Sequence, residues 1–206
     1  MNKIKVLVAD DHAIVRIGLK SVLDYETDIE VVGEVKNGIE AVQEAERTHP
    51  DVVIMDLVMP RKDGVSATRE IHTRLPDTKI LILTTFGTSD GIAHALEEGA
   101  SGAMMKNADD EKIVSAIRRI ARGETYISPD IRRQLEENPP VPKLSPRQTE
   151  VLTMIANGKS NKEIAAQLGI RIDSVEDIAN ALYAKLSVSN RAEAVDIAHR
   201  KHLLKI

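Results

Sequence analysis

The chain has 206 residues, 42% of them hydrophobic but only 2% aromatic, and carries a net charge of −4 at pH 7. That length suits one large domain or two small ones, and the cores have to be aliphatic. With no cysteine, disulfides and thiolate metal sites are excluded, as fits a reducing cytoplasm; with no apolar run near the roughly 18 residues of a membrane span, no membrane segment is expected.

"MNKIKVLVAD" runs straight into an apolar strand and a carboxylate pair, which is not the pattern of a signal peptide. Residues 1–122 then alternate short apolar runs with amphipathic ones. "IKVLVA", "IEVVGEV", "DVVIMD", "KILILT" and "GAMM" read as five strands, and residues near 12–24, 38–48, 64–74, 88–98 and 109–122 as helices. The first, third and fourth strands are nearly continuous aliphatic runs, as in parallel strands covered on both faces. Five βα units in a row predict a doubly wound α/β sheet, which binds ligands at the carboxyl ends of its strands.

Residues 123–143 read as a linker, most clearly "ENPPVPK" at 137–143, and residues 144–206 as a second, all-α domain. In "SPRQ", Ser145 is placed as N-cap, Pro146 at the first helical position and Gln148 to reach back; "SNKE" is a second capping box, from Ser160 to Glu163. A helix over "RIDSVEDIANALYAKL" and another from about Asn190 complete four helices. Residues 141–206 hold 10 Lys/Arg against 7 Asp/Glu and the rest 18 against 25, so a mildly basic tail follows an acidic front.

Strand ends carry the chemistry of the front part. Asp10 and Asp11 follow the first strand, Asp56 the third, Thr84 the fourth and Lys106 the fifth. A parallel sheet gathers all five at one edge. Three carboxylates in one pocket call for a cation, and oxygen donors in a partly hydrated site favour Mg²⁺. A carboxylate beside Mg²⁺, a lysine and a hydroxyl is equipped to accept a phosphoryl group.

On "VLVADDH", "VVIMDLVMPRKDG", "LILTTF" and "GASGAMMK", in that order and spacing, the front part resembles the flavodoxin-like receivers of two-component response regulators. The resemblance implies Asp56 as phosphoacceptor, Mg²⁺ held by Asp10, Asp11, Asp56 and the Val58 carbonyl, Thr84 as switch hydroxyl and Lys106 as phosphate-pairing base. It also implies a sensor histidine kinase as partner and a homodimer formed on phosphorylation. Two positions depart from the usual pattern. Ala103 stands where an aromatic rotamer switch is common, with Phe86 a partial substitute, and Asn107 stands where many receivers have proline.

"LSPRQTEVLTMIANGKSNKEIAAQLGI" with "LSVSNRAEAV" resembles the LuxR-type four-helix DNA-binding domain, so the whole chain resembles a NarL/FixJ-type regulator. Helices from 160 and 171 would form its helix-turn-helix. Arg147, Lys159, Asn161, Lys162, Lys185 and Arg191 are the candidate contacts around Ser174, Glu176, Asp177 and Asn180 on the recognition helix. That helix buries Ile172, Val175, Ile178, Leu182 and Leu186 and shows Asp173, Glu176, Asp177 and Asn180 on its outer side. The family's usual lysine is Glu176 here. Its acids favour the helix dipole, Asp173 and Glu176 are spaced for a shifted capping box, and Glu176 is able to accept from a cytosine amino group.

Two functions follow: a phosphorylation-controlled transcription factor acting at a promoter, or a receiver whose tail binds a protein instead of DNA. A phosphoaspartyl hydrolase is poorly supported, since the chain lacks a cap domain, and no enzymatic activity is expected. A small-residue face around Ala194 to Ala198 is the candidate for pairing two tails.

Overall fold

The computed structural model describes residues 3–85, 88–141, 144–201 and 203–204, apart from the side chain of Arg200; Phe86 lies outside the described residues. They fall into two compact units, one ending at Pro139 and the other beginning at Pro140.

In the first unit, β1 (Ile4–Ala9), β2 (Ile29–Val35), β3 (Val52–Met55), β4 (Lys79–Thr84), β5 (Gly102–Met105) and β6 (Tyr126–Ile127) form a parallel sheet of order β2-β1-β3-β4-β5-β6. Helices α1 (Ala13–Asp24), α2 (Gly38–Thr48), α3 (Gly64–Arg74), α4 (Ser89–Glu97) and α5 (Asp110–Ala121) connect the strands, and α6 (Pro129–Glu137) follows the last. Period-two alternation divides the strand residues between the two faces. Val6, Val8, Ile54, Leu81 and Leu83 are buried with α1 and α5, whereas Leu7, Ala9, Met55, Ile80 and Ile82 are buried with α2, α3, α4 and α6. This is the doubly wound α/β fold the strand pattern predicts. Helix starts are specified locally: Asn37, Asp63 and Thr88 accept backbone N–H bonds at the starts of α2, α3 and α4.

Part of the segment read as linker is regular structure. β6 pairs with β5, placing Tyr126 opposite Gly102 and Ile127 opposite Ala103. Ser128 caps α6, whose Ile131 is wholly buried in the same apolar cluster as Ala103. Burying that one side chain is worth roughly 2 kcal/mol. Leu135, one turn on, packs against the same cluster and helps to dock the helix.

The second unit holds α7 (Pro146–Ala156), α8 (Asn161–Leu168), α9 (Ile172–Leu186) and α10 (Arg191–Arg200). Both capping boxes form as the sequence predicts, with Ser145 and Gln148 opening α7 and Ser160 and Glu163 opening α8. Gly169 ends α8 at φ +65°, the left-handed conformation that glycine adopts without strain, and turns the chain into α9. Val151, Leu152, Ile155, Ile164, Val175, Leu182 and Leu186 form the core.

Three expectations about the tail are corrected. Ile172 is 43% exposed and stands outside the buried stripe, because it is the first helical residue and lies beyond the packed turns; Ala179 is buried in the stripe instead. No shifted capping box forms, since Arg171 is the N-cap and holds the Asp173 carboxylate at 2.5 Å. Ala194 and Ala198 are wholly buried in the tail's own core, so they are not available to pair two tails.

Candidate functional site

Sheet register brings the strand ends level. Met55 lies opposite both Ala9 and Ile82, and Thr84 lies opposite Met105. One residue on, the backbone N–H of Asp56 donates to Ala9 O at 2.9 Å and that of Lys106 to Thr84 O at 2.8 Å. The predicted residues Asp10, Asp56 and Thr84 are thereby buried at one edge of the sheet, while Asp11 and Val58 face solvent.

At the centre stands the Lys106 ammonium, 2.5 Å from Asp10 Oδ2 and 2.7 Å from Asp56 Oδ2, with all three side chains 5% exposed or less. A lysine for two buried carboxylates leaves the pocket net negative. Burial pushes the Asp56 carboxyl above the usual carboxylate value, and Lys106 acts against that push. Burial opposes the charge on Lys106 as well, but its bonds to Asp10 and Asp56 prevail and its pKa is raised.

Gly64 shapes the floor of the site. A Cβ there would lie 2.0 Å from the Asp56 carbonyl oxygen, so the first turn of α3 packs against the backbone of Asp56 only because residue 64 has no side chain.

Ligand atoms of Asp10, Asp11, His12 and Asp56 lie within 4.8 Å of one another, close enough for one cation to bridge. His12 was not singled out from the sequence. Its Nδ1 is 2.8 Å from Asp11 Oδ1, and its backbone N–H donates to Asp10 Oδ1 at 2.9 Å. Its one sequence signal is its place directly after the carboxylate pair.

In the second unit, the candidate contact residues divide into free and engaged groups. Lys162, Glu176, Asp177 and Asn180 are exposed, while Lys159, Asn161 and Ser174 are half-buried. Arg147 pairs with Glu150 at 2.8 Å, and the Lys185 ammonium is 3.3 Å from Gln148 Oε1. Arg191 donates to the carbonyl oxygens of Ile155 and Lys159, tying α10 to the end of α7 and the loop that follows it. Its guanidinium thus also has an architectural task.

Residues 6–118 match the response regulator receiver domain family, and residues 142–198 match the luxR family of bacterial regulatory proteins. The oxygen regulatory protein NreC of Staphylococcus carnosus (strain TM300) is 40% identical, over 97% of this chain and 99% of its own. Among solved structures, the chain is similar to the response regulator ChrA of a heme-sensing two-component system. That likeness has 33% identity and a TM-score of 0.60, covering 99% of this chain and 100% of ChrA. It is also similar to RcsB from Salmonella enterica serovar Typhimurium, bound to a promoter in the presence of the phosphomimetic BeF3-. There the identity is 26% and the TM-score 0.70, covering 95% of this chain and 97% of that one.

Proposed function

The chain belongs to the response-regulator family, a receiver joined to a LuxR-type DNA-binding domain, and on that premise we propose that Asp56 is its phosphoacceptor. It is a transcriptional regulator of the two-component type, and the reading in which the tail binds a protein in place of DNA is not favoured by its relatives. The observation that supports Asp56 is its place directly after β3, in the middle of the sheet, with its buried carboxylate 2.7 Å from the Lys106 ammonium.

The chemistry is a phosphoryl transfer. A carboxylate oxygen of Asp56 forms a bond to the phosphorus of a phosphohistidine on a sensor kinase, while the phosphorus–nitrogen bond breaks and its electron pair stays with the imidazole. Lys106 turns from Asp56 to the incoming phosphoryl oxygens, and the hydroxyl of Thr84 donates to them. Asp10, Asp11 and Asp56 fit Mg²⁺, because their carboxylates offer oxygen donors within reach of one ion, and the resemblance to receivers adds the Val58 carbonyl. When bound, that ion neutralises charge that develops on the transferred group. His12, beside Asp11, orients that carboxylate.

Phosphorylation then favours a homodimer in the cytoplasm, matching the two half-sites that a dimeric helix-turn-helix protein reads on DNA. Sedimentation with and without a phosphodonor checks that step. For Asp56, acetyl phosphate with Mg²⁺ should add one base-labile phosphate to the wild type and none to Asp56→Asn. Persistent labelling of Asp56→Asn at another residue would overturn the assignment.

A further inference from the structure

α9 is the second helix of the helix-turn-helix, and its rotation is fixed by Val175, Ala179, Leu182 and Leu186, all buried. That rotation leaves Glu176 exposed in the early turns of the helix, the part that meets base edges when such a helix lies in the major groove. The acids near it have different circumstances. Asp173 is held by Arg171 at 2.5 Å, whereas Glu176 has an exposed side chain. A solvated carboxylate brought beside phosphates is repelled and releases no counterions, so it adds nothing to backbone affinity. In the major groove a carboxylate has one kind of favourable partner, an exocyclic amino group. Cytosine offers its N4 amino group as a donor, whereas adenine sets the N7 acceptor beside its N6 amino group and would repel the second carboxylate oxygen.

We propose that Glu176 is a specificity-determining residue that accepts a hydrogen bond from a cytosine amino group in each half-site. The proposal rests on the reading of the tail as a DNA-binding domain and deepens it. Glu176 has one methylene more than its neighbour Asp177, and so the longer reach into the groove. The rest of the helix face is poor in positive charge, so sites are chosen by base reading, with weak binding to other sequences.

The test is selection from a random-sequence duplex pool by the full chain treated with acetyl phosphate and Mg²⁺, followed by binding to the selected duplex and its single-base variants. Wild type should fix cytosine at one position of each half-site, and changing that base pair should weaken binding by about tenfold, as expected for one good side-chain-to-base contact. Glu176→Gln should move the preference at that position alone from cytosine to adenine, because an amide pairs with both N6 and N7. Glu176→Ala, at an exposed helical position that tolerates alanine, should lose the preference there and keep all others. Selected sites unchanged at every position in both variants would overturn the proposal while leaving DNA binding intact. So would a Glu176→Lys variant that binds every duplex more tightly by the same factor, since that outcome is relief of repulsion alone. A wild-type chain that binds no duplex at low salt would overturn the proposal and the DNA-binding reading together.

Discussion

Lys106 holds Asp56 by its ammonium at 2.7 Å in a pocket where neither side chain is more than 5% exposed. The same nitrogen is 2.5 Å from Asp10, so a phosphoryl group added to Asp56 enters a site already organised around a positive charge. Breaking the pair from the lysine side exposes its electrostatics.

Lys106→Met keeps the volume and removes the charge, leaving Asp10 and Asp56 buried together. Loss of one partner from a buried pair costs about 3 kcal/mol, a magnitude common to such sites. The pH dependence has a definite sign. The Asp56 carboxyl is already raised in the fold by burial, with Lys106 pulling it down. A raised acid contributes stability fully below its unfolded value and loses it as pH rises through the folded one. Without Lys106 the folded value climbs further. The gap in urea midpoint between wild type and variant should be widest near neutral pH and shrink as the pH falls through the raised carboxyl value. Measured without divalent cations, a gap that stays constant with pH would contradict the account.

Asp11 tests the cation. It is the most exposed of the three carboxylates, with 33% of its side chain open to solvent, and so the one whose removal least disturbs the fold. Asp11→Ala should weaken Mg²⁺ binding by calorimetry and slow phosphorylation by acetyl phosphate together. Labelling at the wild-type rate in the absence of Mg²⁺ would remove Asp11 from the site.

Two glycines make a matched pair. Gly64→Ala sets a methyl group 2.0 Å from the Asp56 carbonyl oxygen and should cost about 3 kcal/mol, with slower phosphorylation as the Asp56 backbone shifts. Gly18→Ala on α1 meets nothing within 4 Å and should stabilise by up to about 1 kcal/mol through helix propensity. Equal effects in thermal unfolding would contradict the close packing assigned to Gly64.

The sheet and the clustering of carboxylates and lysine at its edge were legible because parallel strands buried on both faces leave unbroken aliphatic runs, and because Asp10, Asp56, Thr84 and Lys106 each stand one step from or at a strand end. β6 was not legible, being only Tyr126–Ile127. α6 has one wholly buried residue, Ile131, too little for a periodic pattern, although "SPDI" carries the same Ser-Pro start as "SPRQ" and was there to be read. Alanine is ambiguous between core and surface. That is why the face at Ala194 and Ala198 read as a pairing surface when it is packed inside the tail. The engagement of Arg191 with two backbone carbonyls has no sequence signature, since a basic residue near a DNA-binding helix looks the same whether it ties loops or meets phosphate.

The central claim is that phosphorylation of Asp56 controls DNA binding by the tail of the same chain. Its most direct test is the affinity of the full chain for its selected duplex, with and without acetyl phosphate and Mg²⁺, for wild type and Asp56→Asn side by side. The account predicts tighter binding by phosphorylated wild type and no response from Asp56→Asn. An equal gain in both proteins, or no gain in wild type that carries the phosphate, would contradict it.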